Sequence, residues 1–96
     1  MIGTPTYIST GFKSQVVFVG LAIRPINMVG NTIFSSFSVT PSLDPGMSLN
    51  TTTGVISGVY NGRAMNRVYQ ITGTNSFGSI SYSFTLEYKR IAKWLL

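Results

Sequence analysis

The 96-residue sequence contains neither histidine nor cysteine. These absences remove the most common general base, thiolate nucleophiles and the usual zinc ligands. Without cysteine, no disulfide can stabilise the fold, and the chain is compatible with an oxidising or a reducing compartment. Acidic side chains are also scarce, at two against seven lysines and arginines. We therefore expect a protein that is not an enzyme and that needs no cofactor or metal.

Charged residues of both signs make up only 9% of the chain, whereas about 25% is usual in globular proteins. Hydrophobic residues account for 44%, so the polar surface must come mainly from Ser, Thr, Asn and Gly. This composition is typical of a β-domain, and the length allows one domain with a modest core. No apolar run approaches the roughly 18 residues that a transmembrane helix needs, and no basic region precedes an apolar one near Met1. We expect either a soluble protein or a piece of a longer one.

The formal net charge of +5 would by itself favour an anionic partner such as nucleic acid. Three of the seven cations, however, lie in residues 89–96. The remaining ones are dispersed along the chain, and most aromatic residues occupy inward positions of predicted strands. Nucleic-acid binding requires basic and stacking residues on one face. The sequence therefore argues against a nucleic-acid partner.

The clearest periodic stretch covers residues 79–88, where apolar and polar residues alternate strictly. Such a period of two predicts a strand with one buried face. A second β-rich run covers residues 67–74, and an Asn-Ser-Phe-Gly turn separates the two. We therefore predict a long hairpin in which Tyr69, Ile71 and Gly73 face inward, with Gly73 leaving room for a bulky neighbour.

Shorter β-rich runs occur upstream of this hairpin. They cover residues 15–19, 33–40, 47–49 and 55–57, with glycine or proline between them. About seven short strands at spacings near ten residues predict an all-β fold of the sandwich class.

Three segments carry a more specific pattern. Residues 52–58 read Thr-Thr-Gly-Val-Ile-Ser-Gly and follow a Pro-Ser-Leu-Asp-Pro-Gly loop, and residues 74–78 read Thr-Asn-Ser-Phe-Gly. Residues 19–26 look like a first strand with a Gly-x-x-Ile-x-Pro bend. Taken in this order, the segments resemble dystroglycan-type cadherin-like modules, which belong to the haemagglutinin-type immunoglobulin-like group. The residues that carry the resemblance are Pro41, Pro45, Gly46, Thr53, Gly54, Ile56, Gly58, Tyr69, Asn75 and Gly78.

This resemblance implies an immunoglobulin/cadherin-like β-sandwich of about seven antiparallel strands with Greek-key connections. The chain departs from the family pattern after Gly58, where a Thr-Pro dipeptide is usual. We predict an N-terminal segment with the first strand over residues 1–11, the sandwich over residues 12–88 and a basic-aromatic tail or linker over residues 89–96.

The tail mixes three cations with four large apolar side chains. We expect the tail first of all to be a linker or packing segment. Two alternatives stay open: a contact with a partner or a second copy through Lys89, Arg90, Lys93 and Trp94, or a contact with a membrane surface as a short amphipathic helix. Eight residues are too few for a stable isolated helix.

Two further kinds of site have partial support in the sequence. Asn50 begins an Asn-Thr-Thr sequence, which matches the N-glycosylation pattern at a predicted surface turn. The pattern has meaning only in a secreted eukaryotic protein. A calcium site needs six to eight oxygen ligands, and the only acidic residues are Asp44 and Glu87. We expect no calcium site, with Asp44 capping its loop and Glu87 solvated on a strand.

The sequence thus predicts a non-enzymatic structural or adhesion module. We expect it to be one repeat of a larger cell-surface or secreted protein, with an extracellular location and with neighbouring domains or proteins as partners. A cytoplasmic interaction domain that uses the tail is one alternative. A carbohydrate-binding module is another, with exposed aromatics such as Tyr60 or Trp94 stacking on a glycan.

Overall fold

The computed structural model describes residues 2–43 and 45–90. Within these residues the chain forms eight strands and no helix, as the all-β prediction requires, and no helix there could cross a membrane. The strands are β1 Ile8–Ser9, β2 Ser14–Phe18, β3 Val29–Gly30, β4 Ser36–Thr40, β5 Met47–Leu49, β6 Ile56–Gly58, β7 Met65–Asn75 and β8 Gly78–Lys89.

The strands form two layers around one core. One layer is a continuous four-stranded sheet in the order β2-β8-β7-β4. The other layer consists of the pairs β1-β3 and β5-β6. Two isolated bridges link the segment before β3 to β6 and its following residue; they join Ala22 to Val59 and Ile26 to Ile56. Pro25 lies between the two bridges, and its lack of an N–H group explains why no regular strand forms there.

The predicted hairpin is confirmed, with β7 antiparallel to β8. Tyr69, Ile71 and Gly73 all face the core. A Cβ atom on Gly73 would lie 2.8 Å from Phe34 Cδ1 and 2.9 Å from Ile8 Cδ1. Glycine at this position therefore admits two bulky side chains from outside the hairpin, as the sequence pattern predicts.

The expectation of antiparallel strands is wrong for one pair, because β2 runs parallel to β8. The N-terminal residues follow β8 along its length. Pro5 Cδ lies near Gly78, the Tyr82 hydroxyl donates to the Phe12 carbonyl at 2.8 Å, and Phe18 pairs with Lys89. The chain crosses from one layer to the other between β1 and β2 without reversing its direction. The first strand of the large sheet therefore meets the last one in parallel.

Three fully buried tyrosines occupy the centre of the core. The rings of Tyr60 and Tyr88 stack with centroids 3.6 Å apart, and the hydroxyls of Tyr69 and Tyr88 are 2.6 Å apart. The expectation that Tyr60 is exposed for sugar stacking is wrong, because its relative exposure is 0%. Its hydroxyl donates to the Arg63 carbonyl at 2.7 Å, and this bond permits burial of its polar end.

Candidate functional site

Strand β2 forms one of the two edges of the large sheet. Among the described strands it pairs with β8 alone. An edge strand presents backbone donors and acceptors that can pair with a further strand, and proteins usually protect such edges with proline, charge or a bulge. The five residues of β2, Ser-Gln-Val-Val-Phe, contain neither proline nor charge. This edge therefore lacks the common forms of protection within the strand itself.

The backbone bonds between β2 and β8 define which groups of β2 point outward. Thr85 N donates to the Lys13 carbonyl at 2.8 Å, and Val19 N donates to the Lys89 carbonyl at 2.9 Å. Because bonding alternates along a strand, the odd-numbered residues of β2 bond to β8. The even-numbered residues direct their backbone groups away from β8; they are Ser14, Val16 and Phe18.

Two of these outward carbonyls have local partners. The Phe18 carbonyl accepts from Leu21 N at 3.3 Å, which closes the turn after β2. Among the described residues, the Val16 carbonyl accepts only from the Gln15 side-chain amide, at 3.5 Å, a distance at which a hydrogen bond is weak. Within the described part of the chain, no partner is found for Val16 N. An added strand could bond to Val16 without breaking any bond of the sheet.

A groove of about 680 Å³ lies along this edge, between β2 and residues 21–27. Most of its lining residues are apolar, Phe12 and Ile23 among them, and polar residues complete the lining; they are Thr10, Gln15, Arg24 and Asn27. The side chains of Val16, Phe18 and Leu21 also border it, with relative exposures of 37%, 45% and 50%. The groove is thus an accessible apolar surface next to unpaired backbone groups.

The opposite wall of the groove cannot accept a strand in the same way. Ile26 already exchanges two backbone hydrogen bonds with Ile56, at 2.8 and 3.0 Å. Pro25, which lines the groove, has no N–H group to donate. Any strand that adds here must pair with β2.

Cations outnumber carboxylates in and near the groove. Arg24 lines it, Lys13 directly precedes β2, and Lys89 and Arg90 follow at the end of β8 beside Phe18. The only carboxylate among the described residues is that of Glu87, which lies 3.8 Å from the Lys89 ammonium group. The groove and the two ends of β2 therefore carry an excess of cations.

The structure places two of the four predicted tail contacts near this site. Lys89 and Arg90 are both exposed, and Lys89 pairs in register with Phe18. Lys93 and Trp94 lie outside the described residues, so their predicted role stays a prediction. Sequence reasoning predicted the strand, as residues 15–19, but missed its edge position and the groove beside it. The available signal was an uncharged β-rich run that follows directly on Lys13.

Asn50 lies in an exposed turn between β5 and β6. Its side-chain oxygen accepts hydrogen bonds from Thr52 N at 2.9 Å and Thr53 N at 3.0 Å. This arrangement explains why the Thr-Thr-Gly motif turns here. Glycosylation of Asn50 stays a prediction.

The residues of the family resemblance serve the fold rather than the groove, because none of them lines it. Asn75 illustrates this. Its side-chain amide donates to the carbonyls of Gly3 at 2.8 Å and Ile33 at 3.1 Å, and its oxygen accepts from Phe77 N at 2.8 Å. The other signature residues lie in loops and turns, in the core, or at the ends of strands; they are Pro41, Pro45, Gly46, Thr53, Gly54, Ile56, Gly58, Tyr69 and Gly78.

Of the two acidic residues, only Glu87 lies in the part of the chain that the structure describes. Glu87 is partly buried and near Lys89, whereas Asp44 lies outside the described residues. No group of three or more His, Cys, Asp or Glu side chains that could hold a metal occurs over residues 2–43 and 45–90.

Solved structures resemble this fold, whereas no protein-family profile and no curated protein sequence matches the chain. A predicted alpha-galactosidase from Bacteroides fragilis matches 92% of the chain with a TM-score of 0.71 and 18% identity, and the chain spans 18% of that protein. Titin domain M7 matches 93% with a TM-score of 0.59 and 19% identity, over 97% of that domain. A chimeric titin Z1Z2 carrying a decorin peptide matches 93% with a TM-score of 0.56 and 16% identity, over 100% of its length. The chain is thus an immunoglobulin-like β-sandwich, and the predicted fold class is confirmed.

Proposed function

We propose that this chain is a non-catalytic module of a longer cell-surface or secreted protein, where it spaces neighbouring domains and makes protein contacts. The observation that carries the proposal is the placement of the two ends of the described fold. The first residues lie at one end of the long axis and the last residues at the other. A polypeptide that enters and leaves in this way runs through the module rather than returning to its starting point.

The position of each end follows from specific contacts. The Gly3 carbonyl accepts from the Asn75 side chain at the tip of the β7–β8 hairpin. From that tip, β8 runs for twelve residues to Lys89, a distance of about 40 Å at the usual rise of a strand. The fold measures 51 by 20 by 20 Å, so β8 spans most of its length. Modules of this shape joined in series would extend the parent protein.

The non-catalytic part of the proposal is supported by the side chains available. The chain has no histidine or cysteine and only two acidic residues, so its hydroxyls lack the usual activating bases. On the solvent face of the large sheet, Thr72 and Ser81 hydroxyls bond to each other at 2.8 Å. These hydroxyls act as ordinary cross-strand partners.

The finer assignment to dystroglycan-type cadherin-like modules, and with it the extracellular location, belongs to this proposal. It is supported by the signature motifs, whose residues occupy the turns that such motifs imply. The carbohydrate-binding alternative named Tyr60 as an aromatic residue that stacks on a sugar, but Tyr60 is buried. The name alpha-galactosidase applies to the Bacteroides protein and not to this chain. Among the described residues, no aromatic cluster favours glycan binding.

A spacing role predicts resistance to force applied at the two ends. Because β2 and β8 are parallel and the ends lie at opposite poles, such a force loads the β2–β8 hydrogen bonds in shear, all together. In single-molecule pulling, we expect Gln15→Pro to lower the unfolding force markedly, since it removes an N–H that the register assigns to β8.

Val16→Pro is the matched control for this experiment, because Val16 N points away from β8. It should keep an unfolding force close to that of the native chain. If the native chain unfolds at a force as low as that of Gln15→Pro, the module does not resist end-to-end load and the spacing proposal is wrong.

A further inference from the structure

We infer that the edge of β2 is a docking site for an extended, acidic peptide segment of a partner protein, which adds as a further strand to the large sheet. This inference rests on the proposed function, since it names the surface and the partner chemistry through which the module makes contact. Its structural basis is a combination of three features along one strand: backbone groups with no partner among the described residues, a groove with mostly apolar lining residues, and a local excess of cations.

The backbone of β2 provides the pairing. Val16 N and the weakly bonded Val16 carbonyl face outward in the middle of the strand, and Ser14 contributes a second outward pair. The Phe18 carbonyl already accepts from Leu21 N, so pairing is expected to end there. An extended peptide would gain main-chain hydrogen bonds of the kind that sheet-edge recognition uses.

The groove provides side-chain recognition. Alternate side chains of an added strand point to opposite faces, so every second one would enter the groove between Phe12 and Ile23. A volume of about 680 Å³ accommodates several aliphatic side chains. The partner strand should therefore carry apolar residues at every second position.

The charges select the partner. Arg24 lines the groove, and Glu87 carries the only described carboxylate. Lys13 directly precedes β2, and Lys89 and Arg90 follow at the end of β8. Acidic residues at the ends of a partner strand would be attracted to these cations. A second copy of this chain would instead bring the same cations against them, because each copy carries a net charge of +5.

The other edges of the fold are less suited to this role. On β4, the opposite edge of the large sheet, Phe37 N already donates to the Thr51 carbonyl at 2.8 Å. β5 has only three residues. The five-residue strand β2 is therefore the favoured place for strand addition.

A labelled synthetic peptide, acetyl-Asp-Val-Thr-Val-Thr-Val-Asp-amide, tests the inference in fluorescence anisotropy with the 96-residue chain. We expect saturable binding that weakens with added salt. The same peptide with lysine in place of aspartate should bind at least about tenfold more weakly, because its charges repel the cations in and near the groove. In NMR spectra, the acidic peptide should shift the amide signals of Ser14, Val16 and Phe18.

Two variants of Val16 separate backbone pairing from side-chain contact. Val16→Pro removes the outward N–H, and its affinity for the acidic peptide should fall about tenfold or more, as the loss of central main-chain bonds implies. Val16→Thr keeps the N–H and the branched shape, and its affinity should stay within about twofold of native. Circular dichroism on both variants checks that the fold is retained.

Several results would overturn the inference. The acidic peptide could fail to bind, or the lysine peptide could bind as tightly as the acidic one. Val16→Pro could bind the acidic peptide as tightly as the native chain does, or the peptide could shift amide signals remote from β2. A concentration-dependent dimer in sedimentation that Val16→Pro abolishes would assign the edge to a second copy instead. None of these results concerns resistance to end-to-end force, so the spacing proposal and the docking inference can fail separately.

Discussion

Replacing Gly46 by alanine is expected to lower the free energy of unfolding by about 2 to 5 kcal/mol, through backbone strain and steric overlap together. Gly46 has φ of 93°, a conformation that alanine adopts at a cost. A Cβ atom there would also overlap the Val59 carbonyl oxygen. The chain segments before β5 and after β6 cross at this point, where Val59 N donates to the Gly46 carbonyl at 3.0 Å. Denaturant unfolding measures the change.

Gly20→Ala is the matched control, because Gly20 has φ of 88° and an added Cβ atom there would meet no neighbour within 4 Å. It should cost about 1 to 2 kcal/mol, the strain alone. The difference between the two variants measures the close approach at Gly46. Equal costs for both variants would show that the two segments do not meet there.

Replacing Tyr88 by alanine is expected to destabilise the fold by about 3 to 5 kcal/mol, the range for truncating a large buried aromatic residue. The Tyr88 side chain is 1% exposed. Its ring stacks on Tyr60, and its hydroxyl lies 2.6 Å from that of Tyr69 and 3.7 Å from the Met47 sulfur. The residue therefore joins both layers of the sandwich. Thermal and denaturant unfolding measure the loss.

Tyr7→Ala provides the comparison, since Tyr7 is 48% exposed and has no ring partner among the described residues. It should change stability by less than about 1 kcal/mol. A small effect of Tyr88→Ala, similar to that of Tyr7→Ala, would contradict the burial of Tyr88 between the layers.

The hairpin could be predicted because its signals are local. Strict alternation over residues 79–88 defined the inward face of β8, and the Asn-Ser-Phe-Gly turn set the register with β7. Gly73 was informative for the same reason, because a glycine on an inward row indicates a close neighbour. The identity of that neighbour, Phe34 together with Ile8, depends on long-range packing that the local pattern does not encode.

The parallel pairing of β2 and the burial of Tyr60 could not be predicted in this way. Which strand lies beside β8 depends on where the chain crosses between layers, and no local pattern encodes that crossing. Tyr60 follows β6 in an irregular segment without periodic alternation, so its orientation had no local signal.

The candidate site was missed for a related physical reason. An edge strand at the margin of the core buries little of its inner face, and in β2 only Val17 is buried. Its sequence therefore lacks the alternation that marks a half-buried strand. The outward direction of Val16 N follows from the register with β8, which only the three-dimensional structure provides.

Residue-by-residue amide hydrogen exchange of the native chain, followed by NMR, tests the central claim most directly: β2 is bonded to β8 on one side and open on the other. The structure predicts slow exchange for the amides of Gln15, Val17 and Val19, which point to β8, and fast exchange for those of Ser14, Val16 and Phe18. Uniform protection along β2 would show that its outer edge is already covered, and uniform fast exchange would show that the β2–β8 pairing does not form. Either result would contradict the account.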